Sequence, residues 1–125
     1  MKILLTEARA GDAHMVGALL AVEGHQIAFC HADRQEVRCG GLTGAGCPLL
    51  ETDIDVVVDV RLQPGQVTQR EFGALCAIQR GTPLVVAGAM PAESVIAEYA
   101  VMACSPDSTG AACSGIEDAT RVRGT

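Results

Sequence analysis

Aromatic side chains are nearly missing from this 125-residue chain, which has no tryptophan, one tyrosine and two phenylalanines. Binders that stack on bases need such platforms, and binders of the phosphate backbone need several cations on one face. Lys2 is the sole lysine, the arginines are scattered, and the formal charge is −6. This balance argues against DNA or RNA as a partner. No apolar run approaches the ~20 residues of a membrane helix, so no membrane association is expected. Residues 1–7 are too short for the apolar core of a signal peptide. The chain reads as cytoplasmic, and in a reducing compartment its six cysteines are thiols or ligands rather than structural bridges.

What is present is aliphatic. Ala, Val, Leu and Ile supply most of the 49% hydrophobic content, enough for a close-packed core in one domain without staples. Short apolar runs alternate with stretches of helical period, the pattern of a parallel sheet with helices on its faces. The runs cover residues 2–6, 26–30, 54–60 and 83–88, with room for a fifth over 100–104. Between the first two, Asp12 suits an N-cap, and Met15, Val16, Leu19, Leu20 and Val22 trace a helix face that stops at Gly24. A later helix carries Phe72, Leu75, Cys76 and Ile78 and ends near Gly81. Another starts at Pro91, with Val95, Ile96 and Tyr99 spaced for inward packing. Residues 38–48 hold four glycines and a proline, which no stable helix accepts, so the second helix of such a fold is expected to be replaced by a Cys/Gly-rich loop. Residues 1–104 form the expected domain. The small, polar residues 105–125 show no apolar period and are expected to be a disordered tail.

Three stretches carry a resemblance to a family. Lys2-Ile3-Leu4-Leu5-Thr6-Glu7 leads through a helix to Gly24-His25-Gln26-Ile27. Asp55-Val56-Val57-Val58-Asp59-Val60-Arg61-Leu62 is followed by Pro64-Gly65, and Pro83-Leu84-Val85-Val86-Ala87 comes later. Over about the first hundred residues the chain resembles the receiver domains of bacterial response regulators. The resemblance implies a flavodoxin-like, doubly wound parallel sheet of order 2-1-3-4 with a fifth strand at its edge. It also implies an acidic pocket of Glu7 and Asp59, with Asp59 as the phosphoacceptor and Mg²⁺ as the cofactor of any residual phosphotransfer. The other receiver groups are replaced. Ala8 stands at the second acid, Gly88 at the hydroxyl, and Met102 where the lysine is expected. The leading expectation is therefore a non-catalytic pseudo-receiver that signals by binding a protein partner or a second copy of itself, and that is not an enzyme.

Two other readings compete. Asp12-Ala13-His14-Met15-Val16-Gly17 fits the Asp-x-His-x-x-Gly of cobalamin-binding domains. Gly17 and Gly24 are only seven residues apart, however, about two helical turns where that family leaves about three. His14 then falls in the first turn of a helix, away from any corrin ring. The second reading is a Zn²⁺, iron–sulfur or thiol redox site built from Cys30, His31, Cys39, Cys47 and Cys76, since thiolates and imidazole suit those metals. These cysteines lack a Cys-x-x-Cys knuckle, and Cys30 and Cys76 also fit as small buried hydrophobes.

Overall fold

The computed structural model describes residues 1–29, 53–89 and 94–123. Five strands, β1 (Lys2–Glu7), β2 (Gln26–Phe29), β3 (Val56–Arg61), β4 (Leu84–Gly88) and β5 (Met102–Cys104), form one sheet in the order β2-β1-β3-β4-β5. Every pairing is parallel. Among the described residues four helices accompany it, α1 (His14–Val22), α2 (Phe72–Arg80), α3 (Val95–Tyr99) and α4 (Thr109–Arg123). No described helix is long and apolar enough to cross a membrane. The expected Cys/Gly loop, with Cys30, His31, Cys39 and Cys47, and the expected helix start at Pro91 lie outside the described residues.

Side-chain alternation along the strands sorts the core into two layers. Ile3, Leu5, Val56, Val58, Val60, Val85 and Ala87 face α1 and α4, where Ala13, Val16, Leu20, Ala112 and Cys113 meet them. Leu4, Val57, Leu84 and Val86 face α2 and α3 and pack on Ala74, Ala77 and Ile96. Buried on both faces, β3 carries four valines, β-branched residues that suit a covered strand. The expected helix faces are only partly buried. Met15, Leu19, Val22, Val95 and Tyr99 are exposed, and so is Phe72 at the start of α2. The buried residues of that helix are Gly73, Ala74 and Ala77, of which Ala74 and Ala77 pack on the sheet layer.

Two local expectations are corrected. Asp12 is not the cap of α1: the N-cap is Ala13, with no side-chain cap bond. Instead the Glu7 carboxylate, at the end of β1, accepts from Ala13 N at 3.0 Å and Gly11 N at 3.1 Å. A longer side chain from the neighbouring strand satisfies the amides that a capping residue would otherwise serve. Residues 105–123 are also not a disordered tail. They form a turn over Pro106–Ser108 and then α4. Thr109, Ala112 and Cys113 are buried, and Ile116 packs on the same cluster. Their spacing is i, i+3, i+4, i+7, the helical period carried by small residues.

Candidate functional site

The sequence places Asp59 at the tip of the third strand, but β3 continues through Val60 to Arg61. Asp59 therefore lies inside the sheet, in register with Thr6 of β1 and Val86 of β4. It is fully buried. Buried there, it is not a solvated carboxylate at a strand end. Because Asp59 and Arg61 are two residues apart, alternation sends both side chains to the face covered by α2.

Four groups meet there. Thr6 Oγ1 donates to Asp59 Oδ1 at 2.6 Å. Arg61 Nη1 donates to both oxygens of Glu71, at 2.5 and 2.6 Å, a pair with 1% and 0% of its side chains exposed. The remaining guanidinium donors reach the carbonyls of Ala89 at 2.9 Å and Gly65 at 2.6 Å. Glu71 also accepts from Thr68 N at 2.8 Å. This environment makes the two acids unequal. Burial, and then the hydrogen bond and negative charge of Glu71, push Asp59 up from 3.8 to about 9. Burial also opposes the Glu71 charge, but hydrogen bonds from Asp59, Arg61 and Thr68 N outweigh it and hold Glu71 below its ordinary value. At neutral pH Asp59 is thus a neutral acid. As a carboxylate it would leave Oδ2 without a partner, whereas as an acid it has a proton to give Glu71. With Glu71 matched by Arg61, the cluster carries no net charge, the arrangement in which buried ionisable groups are tolerated.

Glu7 does not join this cluster. It is in register with Val60, so alternation directs it to the sheet face opposite Asp59. Both its oxygens are engaged: Oε1 by Ala13 N, and Oε2 by Gly11 N and by Arg70 Nη2 at 3.0 Å. The two acids of the expected pocket are thus present and buried, but held apart by the sheet. The position of Gly88 has its own explanation. It has φ +116°, and a Cβ there would overlap the Arg61 carbonyl, which accepts from Ala89 N at 2.8 Å. A threonine or serine could not occupy that backbone. Met102 does not stand at the carboxyl edge either. It opens β5, opposite Val85, while Cys104 is the residue level with Ala87.

Among the described residues no three His, Cys, Asp or Glu side chains are grouped to hold a metal. Cys76 is half-buried and packs against the α2 layer, and its proposed companions are outside the described residues. His14 is the first residue of α1, as the spacing to Gly24 implied. Cys104 and Cys113 share one core layer, and burial pushes the Cys113 thiol up to about 11, which disfavours the reactive thiolate. Sequence reasoning missed Arg61, Thr68, Arg70 and Glu71. One signal was available: an arginine two residues beyond an aspartate in an aliphatic strand puts two charges on one buried face, and such a pair requires further partners. No protein-family model matches the chain, and no curated protein matches it.

Proposed function

We propose that the chain is a non-catalytic module with a receiver-like, flavodoxin-like fold, which acts by binding a protein partner and is not switched by phosphorylation. One observation carries this reading: Asp59, the only candidate acceptor the sequence offers after the third strand, is fully buried between Thr6 and the Arg61–Glu71 pair. Attack on phosphorus needs an ionised, reachable carboxylate with a cation to neutralise the transferred group. Asp59 is protonated, and the nearby cation is matched by Glu71. The neighbouring Glu7 is spent on ordering the loop that enters α1, so neither acid is left to hold Mg²⁺. In this reading an internal, fixed ion pair stands where a reversible covalent charge would act, and the surface offered to a partner is constitutive.

The test is incubation of the whole chain with acetyl phosphate and Mg²⁺, read by intact mass. The mass should stay unchanged. Gain of one phosphoryl group, absent from Asp59→Asn, would overturn the proposal. Partner capture by Asp59→Asn should equal that of the wild type.

A further inference from the structure

The strand order has a second consequence at the carboxyl edge. From β1 the chain crosses to β2 on one side, and β3 lies on the other. Loops leaving the carboxyl ends of β1 and β3 therefore part, which is where open α/β sheets form ligand crevices. A crevice of about 430 Å³ lies there, lined by Ala8 and Arg9 after β1, by Arg61, and by Gln63, Gln66 and Thr68 after β3. Its volume is within the range of small-molecule sites. Two hydrogen bonds tie its walls together: Arg9 Nη1 donates to Gln63 Oε1 at 2.7 Å, and Thr68 Oγ1 donates to the Ala8 carbonyl at 2.8 Å.

The charge of this crevice is opposite to that of the chain. The formal charge overall is −6, yet the lining contains two arginines and no carboxylate. Arg61 is matched by Glu71. Arg9 is exposed and forms no ion pair with any described carboxylate. The amide of Gln63 holds one edge of its guanidinium, which has five donors in a planar fork suited to two oxygens of a carboxylate or phosphate. Gln63 and Gln66 add side-chain amides able to bond the uncharged part of a ligand.

We propose that this crevice binds a metabolite-sized oxyanion, a small molecule carrying a terminal carboxylate or phosphate, with Arg9 as its charged contact and Gln63 as the residue that orients Arg9. The site binds reversibly, so it does not depend on whether Asp59 accepts a phosphoryl group.

The experiment is an amide NMR titration of the ¹⁵N-labelled full chain at fixed ionic strength. The probes are inorganic phosphate, glycerol phosphate and succinate, with sodium chloride as the control. At least one oxyanion should give saturable shifts in residues 8–9 and 63–68 that chloride does not reproduce. The arm that saturates assigns the headgroup, phosphate or carboxylate. Arg9→Gln should weaken that binding at least tenfold with the rest of the spectrum unchanged, and Arg9→Lys should retain part of it. Gln63→Leu, which keeps the charge but frees the guanidinium, should weaken it several-fold and serves as the deciding variant if Arg9→Gln does not fold. Absence of saturable shifts with all three probes, or equal affinity in Arg9→Gln and wild type, would overturn the assignment. Loss of oxyanion binding together with an unchanged mass after acetyl phosphate would refute this inference and leave the proposed function intact.

Discussion

The two faces of β3 differ in kind. Toward α1 and α4 the strand presents Val56, Val58 and Val60 to a dry aliphatic layer. Toward α2 it presents Val57, then Asp59 and Arg61, so the layer begins aliphatic and ends in a buried polar network. Both faces are equally buried. The first is held by area and packing and has no titratable group within β3. The second depends on each charge having its partner, so its contribution changes with pH and collapses when one member is removed. Burial by itself therefore says little about how a residue contributes.

The largest expected effect comes from breaking the polar face. Arg61→Leu leaves the Glu71 charge buried and unmatched and should cost about 3–5 kcal/mol in urea unfolding. Replacing both, Arg61→Leu with Glu71→Leu, should recover most of that loss; failure to recover would place the role of Arg61 in its backbone-carbonyl bonds. On the dry face, Val58→Ala should cost roughly 2–3 kcal/mol, from lost burial and the cavity left behind. Its cost should be the same at pH 5 and pH 8, and a strong pH dependence would erase the contrast between the faces. Glu7→Gln, at the edge between them, should cost about 1–2 kcal/mol, because it weakens a charge-assisted bond to Arg70 while the amide oxygen still serves α1.

The smallest effect at acid pH is expected from Asp59→Asn. Asparagine has the shape of the protonated acid: its oxygen can accept from Thr6 and its amide can donate to Glu71. At pH 4 the variant should match the wild type within about 1 kcal/mol. The difference then grows with a definite sign. Folded Asp59 keeps its proton up to about 9, whereas the unfolded side chain loses it near 3.8. The folded state thus binds more protons between these values, and wild-type stability falls as pH rises across that window, levelling off above it. Glu71, lowered when folded, acts in the opposite sense: its contribution is lost as pH falls through its depressed value, so it leaves the neutral range untouched. Asp59→Asn should therefore become the more stable protein as pH increases, with the crossover read from denaturant midpoints.

The strands were legible because they rest on local pattern, whereas their order was an expectation that came with the resemblance to receiver domains. The β-branched run at 56–60 and the Pro-Leu-Val-Val-Ala-Gly run at 83–88 can be buried on both sides only in a covered parallel sheet. The last helix escaped notice because its inward stripe is Thr109, Ala112, Cys113 and Ile116, where small residues replace the bulky ones that announce a period. The candidate site was half legible. Asp59 stood out as an acid after a hydrophobic run. One extra turn of alternation, the extension of β3 to Arg61, decided whether it met water or protein, and strand ends are where local pattern is weakest. Its partner Glu71 is brought to it by a turn, Gln69–Glu71, that leads into α2, a contact set by tertiary packing rather than by spacing along the chain.

The protonation of Asp59 can be read directly from the ¹³C shift of its side-chain carboxyl during a pH titration of the selectively labelled chain. A resonance that keeps the position of a neutral acid through pH 7 and moves only near 9 would bear out a buried proton shared with Glu71. A carboxyl that ionises near 3.8, the ordinary value for aspartate, would contradict it and return Asp59 to the list of reachable acceptors.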